Sequence, residues 1–384
     1  MTALLRAAWE TWYRLPPRHR TAVRRLAVFL LSLRIGPGPP SQRLAMVLGM
    51  ISAEDDPFMV AHGHPALRRL TGQLRRDATA RRILQWGVVP VDPEVSIVIP
   101  VFGTLDLVAP QIALLADDSE IREAEIILVL DSPELEAAFA SLLRDLSSLY
   151  GMPMQGIVMN QNAGFGIASN LGAEHARGAL LLLLNSDVFP ASPGWLSRMV
   201  TAYRSREGLG ALGPKLLFED GSLQHAGMFF DRDPETGRWY NQHFYKGLSS
   251  RTMPSQVTRT VPAVTGACML VNRDLFLRTG GFDPIYVVGE YEDSDLCLRL
   301  AEAGYESRYL ADVSLYHLER QSFDSSRARQ REAATRHNAW LQTQRWGTQI
   351  ELLMRAYDSP DGVEPFTASP SPATTAPTHA RKGP

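Results

Sequence analysis

Four short stretches carry side chains able to handle an anion, a divalent cation or a proton. Asn185-Ser186-Asp187 follows an unbroken run of leucines at 180–184. A carboxylate leaving a buried strand at its carboxyl edge can coordinate a divalent cation whose other ligands are phosphate oxygens and water, although Asp187 taken alone serves equally well as a turn former or helix cap. Upstream, Asn160-Gln161-Asn162-Ala163-Gly164-Phe165-Gly166 leads towards Ser169-Asn170-Leu171-Gly172. Its glycines allow close backbone approach, and a helix starting there aims its N-terminus at an anion. The spacing is neither that of a dinucleotide fingerprint nor that of a P-loop, and a plain loop-to-helix turn reads the same way. Glu290-Tyr291-Glu292-Asp293-Ser294-Asp295 places four carboxylates in six residues. Such a group is costly unless a cation, a helix N-terminus or a substrate relieves it, and N-terminal capping is the plainer alternative. A single His317 closes the short apolar run 313–317 and gains meaning only in company.

The elements that must hold these residues alternate between two periods. Runs at 95–100, 125–130 and 179–184 are short, apolar and bounded by Pro100, Asp131 and Asn185, as buried strands are. Helical patterns fall at 107–115, 134–150 and 166–176, which together predict a parallel sheet covered on both faces. Ligands gather at the carboxyl ends of such strands, where the polar clusters stand. Gly280-Gly281-Phe282-Asp283-Pro284 supplies a tight turn ahead of the acidic cluster.

The first ninety residues differ in character. They hold fourteen arginines against five acids, a net charge of +9, with Trp9, Trp12, Tyr13, Leu26, Val28, Phe29, Leu30 and Leu33 interleaved. This pattern predicts a helical extension that packs on the main domain or docks on a membrane surface. Gly36-Pro37-Gly38-Pro39-Pro40 breaks it, a second helix is expected over 65–86, and Pro90-Val91-Asp92-Pro93 reads as a linker. The expected organisation is an extension at 1–90, a main α/β domain at 91–357 and a disordered Pro/Ser/Thr/Ala-rich tail at 358–384.

Composition narrows the classes further. A chain of 384 residues with 45% hydrophobic residues, 29 glycines and 26 prolines is neither collagen-like, coiled-coil nor wholly disordered. Its net charge of −2 gives no global basic field, which argues against a nucleic-acid binder. Cys268 and Cys297 are too few for a disulfide scaffold or thiolate metal site, and the run 26–33 is too short for a membrane span. A cytoplasmic location, peripheral at the inner face of the cell membrane, is the resulting expectation.

Taken in order, these stretches resemble the family 2 glycosyltransferases, inverting enzymes of the GT-A nucleotide-diphospho-sugar transferase fold, a Rossmann-like α/β architecture. The resemblance spans residues 95–317 through Val-Ser-Ile-Val-Ile-Pro-Val-Phe, the 162–172 Gly/Asn segment, Leu-Asn-Ser-Asp, Thr265-Gly266-Ala267-Cys268-Met269-Leu270, Gly-Gly-Phe-Asp and Glu-Asp-Ser-Asp-Leu-Cys-Leu-Arg. It is closest to the bacterial branch that builds polysaccharides, including rhamnosyl- and galactofuranosyl-type transferases.

The resemblance implies that Pro100, Val101 and Phe102 line a nucleotide site, with Asp131 reading the base or ribose. Asn162, Gly164 and Asn170 would flank the diphosphate and nucleoside, and Gly266 and Ala267 the donor sugar. Asn185 and Ser186 open the motif that in relatives reads Asp-x-Asp. Asp187 matches its metal-binding aspartate, His317 a further metal ligand, and Asp293 the general base; Glu292 and Asp295 would stand on the acceptor side. A Mn²⁺ or Mg²⁺ cation, a nucleotide-sugar donor and a glycan or lipid-linked acceptor follow as expected partners, the imidazole favouring Mn²⁺ slightly. Two other readings compete: a non-catalytic nucleotide-sugar-binding scaffold held to the membrane by the basic extension, and a sugar nucleotidyltransferase. The second lacks its expected Gly-rich, Lys/Arg-containing loop after the first strand.

Overall fold

The computed structural model describes residues 16–33, 38–51, 56–88, 90–318 and 328–357. Trp9, Trp12, Tyr13 and the expected tail at 358–384 lie outside the described residues. The N-terminal part is helical, with α1 (Pro17–Ser32), α2 (Pro40–Met50) and α3 (His64–Asp77). Prolines at the first helical turns of α1, α2 and α3 suit positions whose N–H groups need no intrahelical acceptor.

The helix expected over 65–86 is corrected. It ends at Asp77, where Ala78 turns extended, and residues 80–86 form strand β1 (Ala80–Trp86). Ala-Arg-Arg-Ile-Leu-Gln has good helix propensity, but the open edge of a sheet strand offers it a full ladder of hydrogen-bond partners. Arg81 and Arg82 point outwards and pair with Glu136, a charged edge that discourages further strand addition.

The sheet continues with β2 (Val95–Val101), α4 (Val108–Ala116), β3 (Glu125–Leu130), α5 (Glu136–Tyr150), β4 (Met154–Met159), α6 (Phe165–His175) and β5 (Leu180–Leu184). Strands β4, β3, β2 and β5 are parallel neighbours in that order, and β1 lies antiparallel on the β4 edge. Alternation sends successive side chains to opposite layers. Ile97, Ile99, Leu128 and Leu182 join Val108, Ile112, Phe139 and Leu143 on one face, whereas Val98, Ile127, Val129, Leu181 and Leu183 meet Ala168 and Ala173 of α6 on the other.

The remaining elements complete an eleven-stranded mixed sheet. They are β6 (Val188–Pro190), α7 (Trp195–Arg204), β7 (Leu209–Leu217), β8 (Leu223–His225), β9 (Met228–Arg232), β10 (Trp239–His243), β11 (Arg259–Val261), β12 (Cys268–Asn272), α8 (Arg273–Arg278), α9 (Glu292–Glu302), β13 (Glu306–His317) and α10 (Ala328–Tyr357). Strand β12 runs antiparallel between β5 and β7, β13 is parallel to β7, and β11 closes that edge, while β9 and β10 pair apart as a hairpin. His317 therefore ends a twelve-residue strand rather than a short one. Both cysteines are buried and unpaired.

Helix α6 sits so close to the sheet that Gly172 is required there. A Cβ at this position would lie 2.3 Å from Val98 Cγ1 and 3.0 Å from Val129 Cγ2. Gly172→Ala should cost about 1–3 kcal/mol through overpacking, although alanine is the better helix former. Urea unfolding measures this directly, and an unchanged or raised midpoint would show that the contact is not limiting.

Candidate active site

The first component is the turn Asn185-Ser186-Asp187 between β5 and β6. It is braced from several sides. The Asn185 N–H donates to the Ala267 carbonyl at 2.9 Å, and the buried Gln111 amide donates to the carbonyls of Asn185 and Val188 at 2.7 and 2.8 Å. Asp187 Oδ1 stands 3.3 Å from His317 Nε2, so two residues 130 positions apart in sequence meet at one edge of the sheet. Gln224 sets the imidazole. Its Nε2 donates to the His317 carbonyl at 3.2 Å, which leaves its Oε1, at 2.6 Å, to accept from Nδ1–H. Nδ1 is thus committed to Gln224, and Nε2, the ring nitrogen left for a cation, faces Asp187.

These residues fit a divalent cation. A carboxylate and an oriented imidazole stand together, and two residues before Asp187 the buried Asn185 Oδ1 has no hydrogen-bond partner among the described residues. Among those residues no group of three or more His, Cys, Asp or Glu side chains converges. Oxygen ligands from a diphosphate and water would have to complete the shell.

The second component is the Gly/Asn loop, and Asp131 at the end of β3 fastens it. Its Oδ1 accepts from the Ala163 N–H at 2.7 Å and its Oδ2 from the Gly164 N–H at 2.8 Å, while Asn162 Nδ2 donates to the Asp131 carbonyl at 3.2 Å. Burial raises the Asp131 carboxyl to about 7, against the opposing pull of those two N–H groups. Gly164 takes φ +91° where it caps α6, a conformation closed to most side chains. The next amides of α6 have no intrahelical acceptor and open the helix towards the cleft. Pro100 is half-buried and Phe102 exposed at the end of β2, both at the rim expected to receive a nucleotide.

The third component is Asp293, at the start of α9. Its Oδ2 accepts from the Gly266 N–H at 3.0 Å and its Oδ1 from the Ser294 N–H at 2.7 Å. Burial raises its carboxyl, and the N–H groups of Gly266 and Ser294 and the Thr265 hydroxyl counter this by stabilising the anion. Glu292 beside it is 4% exposed, with Oε2 lacking a hydrogen-bond partner. Burial first, and then the Asp293 charge, push its carboxyl well above the usual range. Of the pair, Asp293 is the better hydrogen-bonded, so its anion is the better stabilised.

Four expectations change. Val101 is fully buried in the core, so it offers the cleft nothing from its side chain. Ala267 likewise turns its methyl into the core and contributes backbone only. Asn170 spends both amide atoms on the Phe282 backbone, at 2.8 and 2.7 Å, clamping the Gly280-Gly281-Phe282 turn to α6. Asp295 is fully buried and takes hydrogen bonds from Tyr286, Trp346 and Arg299, with Arg345 at 3.1 Å, so no oxygen reaches an acceptor site. Motif spacing identifies such residues but does not say which way they face. Gln111 and Gln224 lie outside every motif; the only signal was, for Gln111, a polar residue in an otherwise apolar helix.

The mixed sheet, with these three components at its strand ends, has the architecture of the GT-A fold. Residues 96–279 match the glycosyl transferase family 2 model. The chain is 28% identical over 249 residues to an O-antigen biosynthesis protein RfbC of Myxococcus xanthus, covering 65% of this chain and 19% of that one. It is 29% identical over 203 residues to an N-acetylglucosaminyl-diphospho-decaprenol L-rhamnosyltransferase of Mycobacterium tuberculosis, covering 46% and 62% respectively. The chain thus spans less than two thirds of these curated relatives. Among solved structures, GalNAc-T7 with UDP, GalNAc and Mn²⁺ shares the fold at TM-score 0.52 and 15% identity, covering 69% of this chain and 50% of that one.

The Asp131 clamp has a pH signature. A carboxyl whose folded value, about 7, lies above its ordinary 3.8 stabilises the fold fully below about pH 4 and loses that contribution as pH rises through about 7. Urea unfolding of wild type and Asp131→Asn across about pH 4 to 8 should show the wild type losing stability relative to the variant. A difference independent of pH would contradict it.

Proposed function

We propose that this domain transfers a sugar, with inversion, from a nucleoside-diphosphate donor to a hydroxyl of a glycan or lipid-linked acceptor in polysaccharide synthesis. The observation that carries the reading is the strap at Gly266-Ala267. The base carboxylate bonds to the N–H of one residue, and the cation turn bonds to the C=O of the next. Proton acceptor and leaving-group site are therefore tied to a single dipeptide. The names of the relatives, O-antigen biosynthesis and rhamnosyl transfer, support polysaccharide synthesis as the setting.

In this reading Asp293 takes the proton of the acceptor hydroxyl as its oxygen attacks the anomeric carbon. Asp187 and His317 hold a divalent cation, Mn²⁺ or Mg²⁺, with Asn185 Oδ1 at hand. When bound, the cation offsets charge on the departing diphosphate. The Gly164 loop and the start of α6 receive the diphosphate, and Pro100, Phe102 and Ser186 border the nucleotide. Gly266 lets Phe282 and the base pack close to this backbone, since a Cβ there would come 3.3 Å from Phe282 Cζ and 3.4 Å from Asp293 Cβ. Glu292 is buried beside the base, and burial disfavours its charged form. A nucleotidyltransferase reading is disfavoured by the loop after β2, where Phe102-Gly103-Thr104 offers no cationic side chain to a triphosphate. A scaffold without catalysis would leave the hydrogen-bonded base and oriented imidazole without a task.

The same proposal includes peripheral contact with an anionic membrane. On α1, Val23, Leu26, Phe29 and Leu30 are exposed, with Val60 exposed nearby. Residues 11–53 hold seven arginines and no acid, the pattern of an interfacial helix. Among the described residues no helix is long and apolar enough to cross a membrane.

Two outcomes follow. Asp293→Asn should retain thermal stabilisation by the nucleotide sugar that best stabilises the wild type among UDP-, GDP- and dTDP-sugars, but lose about 10²–10⁴-fold in transfer rate; wild-type transfer would remove it as the base. The full chain should float with phosphatidylglycerol vesicles at low salt, each near-surface arginine adding about 1 kcal/mol. Leu26→Glu combined with Phe29→Glu should abolish flotation, and undiminished binding rules out this surface.

A further inference from the structure

The segment that carries the base is held from outside the family-matched region, by α10. Arg331, Thr335, Asn338, Gln342 and Trp346 recur at spacings of four, three, four and four residues, so they line one stripe of that helix. Each reaches into 287–295. Arg331 Nε and Thr335 Oγ1 donate to the Glu290 carboxylate at 2.9 and 2.5 Å. Asn338 Oδ1 accepts from the Val287 N–H at 3.0 Å, and its Nδ2 donates to the carbonyls of Val287 and Glu290, both at 2.9 Å. The Ser294 hydroxyl donates to Gln342 Oε1 at 2.8 Å, and Trp346 Nε1 donates to Asp295 at 2.8 Å.

The segment needs such support. Val288, Gly289 and Tyr291 take φ +65°, +70° and +77°, and a β-branched valine with a tyrosine in the left-handed region is strained backbone, kept only where surroundings enforce it. Asn338 is fully buried and makes three of the backbone contacts that enforce it. The Val287 side chain is also seated in the core that Val47, Leu67 and Leu70 of the N-terminal helices form with Ala333 and Ala334 of α10. The N-terminal helices and α10 therefore build a common socket for the loop.

We propose that Asn338 is a positioning residue for the reaction, holding the 287–291 loop in the one shape that delivers Asp293 to the donor sugar. The proposal rests on Asp293 as the base. Full-length Asn338→Ala is compared with wild type by hydrogen exchange and by release of nucleoside diphosphate from whichever of the UDP-, GDP- and dTDP-sugars the wild type consumes. Peptides across 285–295 should exchange faster while those across 95–101 and 125–130 do not change. Turnover at saturation should fall on the order of 100-fold, the cost of displacing a catalytic group by about 1 Å, with donor KM unchanged. Wild-type exchange in the loop, or kcat and KM moving together with protection lost across the sheet, overturns the proposal. Should Asn338→Ala not fold, Thr335→Val removes one tie to Glu290 and should show the same local pattern in weaker form; a wild-type profile there overturns it equally. Full turnover in Asp293→Asn would instead sink the base assignment while leaving the loop's exchange untouched.

Discussion

The hydrogen bonds on either side of the Gly266–Ala267 peptide are the constraint on which the site depends. Asp293 accepts from the Gly266 N–H, and the Ala267 C=O accepts from the Asn185 N–H. Because β12 is paired with β5 from Cys268 to Asn272, this dipeptide cannot shift without breaking the sheet. The start of α9 and the cation turn thus inherit the rigidity of the central strands. Groups on elements far apart in sequence are kept at fixed separation without a flexible tether, which a single-displacement transfer requires.

Four acids in six residues are tolerated because each has its own relief. Arg331 and Thr335 serve Glu290, backbone amides serve Asp293, and Tyr286, Trp346, Arg299 and Arg345 serve Asp295, while burial disfavours the charged form of Glu292. The sequence suggested a cation, a helix N-terminus or a substrate as the relieving agent. A helix N-terminus does serve Asp293, through the Ser294 N–H, and Glu290 and Asp295 are also met by α10, whose side chains lie 41 to 51 residues downstream of the acids they contact. The charge asymmetry of the chain, +9 over the first ninety residues and −10 over 91–357, separates a basic arm from an acidic body.

Local pattern carried the strands β2, β3 and β5 and the helices between them, because each is long enough, and apolar enough, to declare its period. It also brought Asp187, Asp293 and His317 into one reading through the order of motifs. It missed β1, whose residues favour helix until an open strand edge is available. It could not distinguish Asp293, which faces the cleft, from Asp295 two positions on, since both lie in the first turn of α9 and only the approach of α10 buries the second. Val101 and Asn170 show the same limit: a motif position is a place on the backbone, and tertiary packing decides where the side chain goes.

In the proposed reaction a single base, Asp293, acts beside a single leaving-group site, and inversion is the stereochemical consequence. The most direct measurement is the anomeric configuration of the first-formed product, read by proton NMR coupling constants during transfer from the donor the enzyme uses. The account predicts a configuration opposite to that of the donor from the earliest time point. Retention of the donor configuration would require a second nucleophile and contradict it.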